Sequence, residues 1–564
     1  MSTRKVRSIK VLHQPTKRPD HGEPRSPSRV ILKPGHQRTG KKRPIQVETI
    51  LERDQILTMR DGVALRADIY RPVTDEKVPA IIMYGPYGKS GSEVYSLDPA
   101  EWVPKQYALV NVDARGTGDS EGDVRWWSSG EGEDGYDTVE EVAKLPWCSG
   151  KVSMAGNSWL ACIQWYTAAE HPPHLACIAP MEGVSDPFRE HMCRGGIPNT
   201  RFTAPLSASF IGRGQREDMP AMVHKYPDAN EYWEDRRARI EDIQVPSYVV
   251  ASFSTGLHTV GSFRGFEESS SEEKWLSVHA TQEWYDLYTE DRTNDLQKFF
   301  DRYLKNIQNG WENTPRVRYS FIQFNKESLV NVPFPDLPWN LASATQRRLF
   351  LSADGQLSSA KPAQSAQISY QADAPSRLMG PDPSDPSFTY VFTENTRIAG
   401  PSTAILYASS PSGNDMDIYV QLRKADKNGN LLAYSNIPMK DIGVSSVSDV
   451  PDHNVMKHLG PQGMLRASRR HVSKALSSRS KSWRTLSQSH AEPVAPGQVV
   501  RLEIQLWQTG MTFDAGERLV LYISGHYMVL PEFDTMPPYE NYNQGQHIIN
   551  VGRDYGSSLL FYEV

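Results

Sequence analysis

One stretch of the sequence, residues 150–161, restricts the possible folds of this chain more than any other. It reads Gly-Lys-Val-Ser-Met-Ala-Gly-Asn-Ser-Trp-Leu-Ala: a β-type run that stops at Gly156, then Ser158, then a segment compatible with a helix. A sharp turn from strand to helix holds a serine hydroxyl clear of the backbone and leaves the next N–H, that of Trp159, free to bind a developing oxyanion. The stretch therefore predicts either a serine nucleophile at Ser158 or an ordinary turn serine.

The chain as a whole changes character twice. From residue 48 to residue 335, strand-like runs alternate with helix-like segments, which is typical of a mostly parallel sheet covered by helices on both faces. Residues 187–244 interrupt this alternation with a polar, charge-rich insertion that we predict to be a helical cap. From residue 336 to residue 564, short alternating strands separated by Pro, Ser and Gly predict an antiparallel β-sandwich or jelly roll.

The N-terminal region has a different composition from the rest of the chain. Residues 1–48 hold 13 Lys and Arg against three Asp and Glu, with many Pro, Ser and Gly. This composition predicts a basic, poorly ordered extension over residues 1–47. The extension has neither interleaved aromatic residues nor a basic helix, so we do not expect it to bind nucleic acid.

Composition also sets expectations about location and partners. The N-terminus has no apolar core of the kind found in a secretory signal, and no run approaches the ~18 apolar residues of a membrane span. The four cysteines form no CxxC pair, which fits a reducing compartment and argues against a zinc site. We therefore expect a cytoplasmic protein with no metal, no cofactor and no membrane partner, and leave homo-oligomerisation open.

Other motifs accompany the serine turn in order and spacing. Residues 83–89 read Met-Tyr-Gly-Pro-Tyr-Gly-Lys, residues 113–122 read Asp-Ala-Arg-Gly-Thr-Gly-Asp-Ser-Glu-Gly, and residues 463–470 read Gly-Met-Leu-Arg-Ala-Ser-Arg-Arg. Over residues 48–564 the chain resembles the CocE/NonD family, the cocaine-esterase-like and X-Pro dipeptidyl-peptidase-like serine hydrolases. That family also accepts a leucine where the common serine elbow has its second glycine, which accounts for Leu160.

The resemblance implies a fold and a reaction. The fold would be an α/β hydrolase with a helical cap and a C-terminal jelly roll. The reaction would be hydrolysis of a small-molecule ester or amide through an acyl-enzyme on Ser158, with the Tyr87 hydroxyl and the Trp159 N–H binding the oxyanion. Aromatic residues near the cap suggest an apolar acyl pocket; they are Trp126, Trp127, Trp159, Phe188, Phe202 and Phe210.

The chain departs from the family at the acid and the base. Relatives carry Gly-Trp-x-Asp after the seventh strand of the sheet and Gly-Pro-Trp-x-His after the eighth. Here the aspartate's place falls at Thr255 and the histidine's place near Gln282. Threonine carries no charge to stabilise an imidazolium, and glutamine cannot shuttle a proton.

Three explanations of this departure stay open. In the first, the base has moved to His279 or His258, and the acid is Glu182 or Asp186, which follow the sixth strand. In the second, the protein catalyses an assisted acyl transfer, cyclisation or lactone opening with a Ser–His dyad. In the third, it is an inactive binding protein. We predict His279 with Asp186, in preference to His258 and Glu182, because a three-residue displacement along the eighth strand is a small change.

Overall fold

The computed structural model of this chain describes residues 9–38, 42–90, 94–375, 381–413, 415–478, 481–533, 536–537 and 539–564. Residues 1–8 of the predicted extension lie outside the described part. Strands of the N-terminal half are β1 His13–Pro15, β2 Ser28–Leu32, β3 Thr49–Thr58, β4 Ala64–Pro72, β5 Val78–Gly85, β6 Ala108–Asp113, β7 Cys148–Asn157, β8 Leu175–Met181, β9 Gln215–Glu217, β10 Ser247–Ser252, β11 Lys274–His279, β12 Val317–Phe321 and β13 Leu329–Phe334.

Within the described residues, eleven of these strands form one sheet in the order β13-β12-β11-β10-β8-β7-β5-β6-β4-β3-β2. The strands from β12 to β6 in this order run parallel, and antiparallel strands extend both edges. Every residue of β5, β6 and β10 is buried, because both faces of a parallel sheet are covered. The carboxyl ends of β5, β7, β8, β10 and β11 therefore meet at one edge, where such sheets place their ligand sites.

Helices cover this sheet and supply the cap. Their bounds are α1 Pro99–Trp102, α2 Ser129–Ala143, α3 Trp159–Ala169, α4 Thr203–Ser209, α5 Met219–Lys225, α6 Glu231–Glu234, α7 Thr259–Glu268, α8 Glu283–Leu287 and α9 Glu290–Leu304. All residues of α3 are buried, since this helix packs between the sheet and its neighbours. None of the helices in the described ranges combines the length and apolar character needed to cross a membrane.

The insertion between β8 and β10 is largely helical, as the sequence predicts for residues 187–244. It holds α4 to α6, one π-helical turn over Phe188–Met192, and short 3₁₀ turns over Arg194–Gly196 and Ile240–Asp242. Its strand β9 pairs with β1, which comes from the N-terminal region. The cap is thus built from two distant parts of the chain.

The prediction that residues 1–47 are poorly ordered is wrong for the described residues of that region. β2 extends the large sheet by pairing with β3, and β1 pairs with the cap. The Asp119 carboxylate lies 2.8 Å from His21 Nε2 and 2.6 Å from an Arg213 nitrogen. Backbone pairing and ion pairs satisfy the polar groups of this segment and hold it in place, although its composition alone is typical of disorder.

The C-terminal half is all β. Its strands are β14 Thr345–Leu351, β15 Leu357–Ser358, β16 Ala366–Gln371, β17 Ser387–Val391, β18 Thr396–Gly400, β19 Thr403–Ser409, β20 Asp417–Ala425, β21 Tyr434–Ser435, β22 Lys457–His458, β23 Gln462–Arg466, β24 Val500–Gln505, β25 Thr509–Phe513, β26 Arg518–Ser524, β27 Gln546–Val551 and β28 Ser558–Glu563. The remaining short 3₁₀ turns are Trp311–Asn313, Pro338–Asn340, Met439–Asp441, Val447–Asp449, Ala467–Arg469 and Gln488–His490.

Two antiparallel sheets of this half form a jelly-roll-type sandwich. The described residues give a nine-stranded sheet built on β15-β14-β28-β19-β27-β16 and a four-stranded sheet in the order β17-β26-β20-β23. Apolar side chains of both sheets, such as Leu406 and Leu521, are fully buried. The large sheet ends with β13 at Phe334 and the sandwich begins with β14 at Thr345, so we place the domain boundary between them.

Candidate active site

Ser158 lies at a sharp turn between β7 and α3. Its backbone has φ 60° and ψ −121°, a conformation that costs free energy for a residue with a side chain and that serine nucleophile elbows share. Its N–H donates to the Glu182 carbonyl at 3.0 Å. The turn therefore projects the Ser158 hydroxyl from the carboxyl edge of the sheet, as the sequence predicts.

Glycines on either side of the turn explain why leucine is tolerated at position 160. A Cβ atom on Gly156 would lie 2.7 Å from the Leu160 Cβ, and a Cβ atom on Gly85 would lie 2.6 Å from Leu160 Cδ1. The Leu160 side chain thus fills the space that those two glycines leave empty. In this chain the positions that must be glycine are therefore 85 and 156, and position 160 can hold a leucine.

The predicted oxyanion donors lie beside Ser158. The Tyr87 hydroxyl oxygen is 3.0 Å from Ser158 Oγ, and Trp159, which carries the other donor N–H, follows Ser158 directly as the first residue of α3. Burial raises the pKa of Tyr87 well above its ordinary value, so the phenol stays protonated and can donate. The Tyr87 ring stacks on Tyr95 with centroids 4.1 Å apart, which holds the hydroxyl in place.

His258 and Glu283 form a buried acid–base pair at the same edge. His258 precedes α7 in the loop that follows β10, and Glu283 opens α8 after β11. His258 Nδ1 lies 2.9 Å from Glu283 Oε2, and the Asn157 amide donates to the same oxygen at 3.1 Å. Since Nδ1 is engaged by Glu283, Nε2 is the ring nitrogen left for proton transfer.

The electrostatics of His258 suit a general base. Burial disfavours the imidazolium, but the surrounding carboxylates, Glu283 foremost, together raise the pKa of His258 above its ordinary value. Glu182 and Glu190 act in the same direction at longer range. A histidine with a carboxylate on one nitrogen is the arrangement that accepts a serine proton in acyl transfer.

His279 belongs to a second pair, which lies behind the first. His279 Nε2 is 2.7 Å from Glu182 Oε1, and the Ser252 hydroxyl donates to the other Glu182 oxygen at 2.8 Å. On its far side, His279 Nδ1 lies 3.2 Å from the Thr281 hydroxyl and 3.7 Å from Asp286 Oδ1. Both nitrogens of His279 thus have partners, and the residue does not line the cavity that holds Ser158.

The structure does not bring Asp186 to His279, the pairing that the sequence predicts. The Asp186 carboxylate lies 3.0 Å from Arg189 Nη1 and accepts the Arg189 N–H at 3.1 Å. Although burial acts in the opposite direction, Arg189 and Arg264 hold the pKa of Asp186 below its ordinary value. Asp186 therefore binds Arg189 in the π-helical turn of the cap, which begins two residues later, and does not contact His279 in the described residues.

Ser158, Tyr87, His258 and Glu283 line one cavity of about 230 Å³. Its apolar wall comes from the cap, the sheet edge and the sandwich, through Phe202, Leu206, Leu257, Val455, Phe533 and Met536. Of the six aromatic residues predicted for an apolar pocket, only Phe202 lines this cavity. Four of the others, Trp126, Trp127, Trp159 and Phe210, pack against one another in the core, and Phe188 stacks on Trp233.

Three side chains of the site carry atoms of the metal-ligating kind. Ligand atoms of Glu182, His258 and Glu283 all lie within 4.8 Å of one another, a spacing that one ion could bridge. His258 and Glu283 already satisfy each other by a hydrogen bond. We therefore assign these groups to proton transfer.

Sequence reasoning overlooked Glu283. The family pattern puts a histidine near Gln282, and the acidic residue directly after it was the available signal. Gln282 itself caps α8, accepting the Tyr285 N–H at 2.9 Å. The cap starts the helix at Glu283 and so fixes where its carboxylate stands.

Comparison with known proteins agrees with the fold just described, which is that of an α/β hydrolase joined to a β-sandwich. The family model of the X-Pro dipeptidyl-peptidase (S15 family) matches residues 61–219. That of the X-Pro dipeptidyl-peptidase C-terminal non-catalytic domain matches residues 309–560. The two models follow each other in the order of the two domains.

Individual relatives point the same way. A CocE/NonD family hydrolase from Staphylococcus aureus is 28% identical, with a TM-score of 0.85 over 99% of each chain. Cocaine esterase from Rhodococcus sp. is 36% identical over 137 residues, which is 24% of this chain and 24% of that protein. An aminopeptidase from a Thaumarchaeota archaeon, 16% identical, shares the fold with a TM-score of 0.70 over 92% of this chain and 97% of its own. The chain belongs to the CocE/NonD family.

Proposed function

We propose that this protein is a serine hydrolase that cleaves a small-molecule ester or amide through an acyl-enzyme on Ser158. The base is His258 and its orienting acid is Glu283. The observation that carries the proposal is the 2.9 Å contact between His258 and Glu283 in the cavity that Ser158 also lines. Each group that a Ser–His–acid mechanism requires is present at this edge of the sheet.

The acid and the base have exchanged strands relative to the family pattern. The histidine now follows β10, where relatives have aspartate, and the acid follows β11, where relatives have histidine. β10 and β11 are parallel neighbours with Ser252 opposite His279, so the loops that follow them lie side by side. The exchange keeps the imidazole between the serine and the carboxylate in space. A triad requires only this spatial arrangement, whatever the positions of its residues in the chain.

The reaction follows from this geometry. Ser158 Oγ attacks the acyl carbon as its proton passes to His258 Nε2, and Glu283 stabilises the imidazolium that forms. The carbonyl oxygen becomes an oxyanion that accepts hydrogen bonds from the Tyr87 hydroxyl and the Trp159 N–H. His258 then gives its proton to the leaving oxygen or nitrogen as that bond breaks. Water attacks the acyl-enzyme by the same route and frees Ser158.

The shape of the cavity supports an apolar acyl group. Leu206, Leu257 and Phe533 face the serine across a cavity of about 230 Å³, which is suited to a short aliphatic or aryl acyl chain. Burying such a chain would also exclude water from the oxyanion donors, which strengthens their hydrogen bonds.

The proposal is tested with p-nitrophenyl butyrate and intact-mass spectrometry. We expect a burst of nitrophenolate and a transient mass gain of one butyryl group, located on the peptide that contains Ser158. Both signals should be absent from Ser158→Ala. Ester turnover that survives unchanged in Ser158→Ala, or acylation located on another residue, would contradict the proposal.

A further inference from the structure

A second, smaller cavity adjoins the catalytic cavity. It has a volume of about 40 Å³ and shares Leu257, Asn454 and Glu532 with the larger one. Its other walls include His191, Arg194 and Trp507. The mechanism described above uses none of the polar groups in this cavity.

Arg194 is a half-buried cation of this small cavity. Its guanidinium lies over the Trp507 ring, 4.9 Å from the centroid, and has no hydrogen bond or ion pair to any residue that the structure describes. Burial lowers the pKa of Arg194. A half-buried guanidinium without an ion-pair partner is stabilised by an anionic acceptor placed beside it.

Neighbouring groups strengthen the preference for an anion. Trp507 Nε1 is a buried donor and His191 Nε2 a buried ring nitrogen, and neither has a hydrogen-bond partner among the described residues. Burial, with the charges of His258 and Arg194, lowers the pKa of His191 to about 3. His191 is therefore neutral and can present an N–H to a ligand without adding charge.

The acidic groups of the cavity make no ion pair with Arg194 among the described residues, although the Glu190 carboxylate attracts it at longer range. Both carboxylate oxygens of Glu190 are occupied by Ser185, whose N–H and hydroxyl donate at 2.7 and 2.8 Å. Glu532 makes no ion pair with Arg194 among the described contacts, and its Oε2 has no hydrogen-bond partner. Burial raises the pKa of Glu532, against the effect of Arg201. Burial thus disfavours the charged form of Glu532.

The backbone fixes the position of Arg194. Gly195 has φ 61°, and a Cβ atom there would lie 2.2 Å from the Met464 carbonyl oxygen. The turn is therefore pressed directly against β23 of the sandwich, where only glycine fits. This contact fixes the backbone beside Arg194, and the stacking of its guanidinium on Trp507 places the side chain along the cavity wall.

We propose that this cavity binds a carboxylate at one end of the substrate, with Arg194 as the binding residue and Trp507 as a further donor. A guanidinium recognises a carboxylate through two parallel hydrogen bonds, which suits a cavity of this size. The substrate class is an ester or amide with an apolar middle and a terminal carboxylate. The inference rests on the proposed function, because the scissile bond must lie at Ser158.

The test compares matched esters in the full-length protein. Mono-p-nitrophenyl glutarate carries a carboxylate on the acyl side, and its methyl ester is the neutral analogue. The butyrate ester of 4-hydroxybenzoic acid carries the carboxylate on the leaving side, and the butyrate ester of methyl 4-hydroxybenzoate is its neutral analogue. The variants are Arg194→Met and Arg194→Lys, with Arg501→Met as the control because Arg501 is exposed and lines neither cavity.

The measured quantity is the ratio of kcat/KM for an anionic ester to that for its neutral analogue. In one of the two pairs, we expect Arg194→Met to lower this ratio about 10- to 100-fold, the effect of losing a charge-assisted hydrogen bond. Arg194→Lys should retain part of the ratio, and Arg501→Met all of it. Equal ratios in wild type and Arg194→Met for both pairs would overturn the carboxylate site. Failure of the proposed function is a separate result, since it would appear as no Ser158-dependent turnover of the neutral esters.

Discussion

At the scale of single residues, the chemistry depends on which of two buried histidines is neutral and faces the serine. His258 carries one carboxylate on Nδ1 and lines the cavity, whereas both nitrogens of His279 have partners and the residue does not line it. A general base needs a free nitrogen within reach of the proton it removes. Under the proposed function His258 is the base and His279 a structural residue, and substitutions should separate the two roles.

Glu283→Gln should change both the rate and its pH dependence. We expect kcat/KM to fall about 10²- to 10⁴-fold, because the imidazolium loses its stabilising charge. Wild-type activity should be lost as the pH falls through a His258 pKa above 6.5, because the base must be neutral. Without Glu283 this pKa falls, so the acidic limb of the kcat/KM profile should move to lower pH. Glu182 and Glu190 still face His258 in this variant and retain part of the shift.

The control for this prediction is Glu283→Asp, which keeps the negative charge but shortens the side chain by one methylene and so moves the carboxylate away from His258. Its acidic limb should stay close to that of the wild type, with a smaller loss of rate. A limb that moves to higher pH in Glu283→Gln, or does not move at all, would show that His258 is not the titrating base.

Tyr87→Phe removes one of the two oxyanion donors. We expect kcat to fall about 10²- to 10³-fold with little change in KM, because the hydroxyl binds charge that develops only in the transition state. Steady-state kinetics with p-nitrophenyl butyrate measure both constants, and circular dichroism checks the fold. A change confined to KM would instead place the hydroxyl in ground-state binding.

At the scale of secondary-structure elements, contacts between the carboxyl ends of parallel strands hold the site together. The Glu182 carbonyl accepts the Ser158 N–H after β8, and the Glu182 carboxylate meets His279 at the end of β11. Glu182 also has φ 56°, a strained backbone for glutamate. The pair of Glu182 and His279 thus ties three strand ends together beneath the serine turn.

His279→Gln should reduce stability more than it alters chemistry. Breaking a buried ion pair costs about 3 kcal/mol of unfolding free energy. Burial opposes protonation, but Asp286 and Glu182 raise the pKa of His279 above 6.5. The stabilisation is therefore complete below pH 6.5 and is lost as the pH rises through the folded-state pKa.

Urea unfolding at a series of pH values measures this effect. The difference in unfolding free energy between wild type and His279→Gln should be largest at pH 6 and shrink towards pH 9. A difference that grows with pH would contradict an imidazolium at this position. The His279→Gln enzyme should also keep the acidic limb of its kcat/KM profile near that of the wild type.

At the scale of the whole molecule, the cap and the N-terminal region depend on each other. Deleting residues 1–32 removes β1 and β2 and with them the contact of His21 to Asp119. We expect the melting temperature in calorimetry to fall by at least about 3 °C, because the edge of β3 becomes unpaired and the cap loses its partner strand. An unchanged melting temperature would mean that this region contributes no stability.

The sequence predicts the parts of the fold and site that depend on local pattern. The serine turn at Ser158, the donor Tyr87, the cap and the β-sandwich follow from motifs that are continuous in the chain. The pairing of His258 with Glu283 does not, because it depends on how two loops meet across β10 and β11. The sequence also does not predict that β1 and β2 are ordered strands, because their stability comes from pairing with β9 and β3, which lie elsewhere in the chain.

The central claim is that His258, and not His279, activates Ser158, and one measurement tests it most directly. Rates of labelling by a fluorophosphonate probe are compared for wild type, Ser158→Ala, His258→Gln and His279→Gln at pH 7. The account predicts no labelling of Ser158→Ala, labelling of His258→Gln slowed by at least about 10²-fold, and labelling of folded His279→Gln close to wild type. Fast labelling of His258→Gln together with slow labelling of His279→Gln would contradict the account.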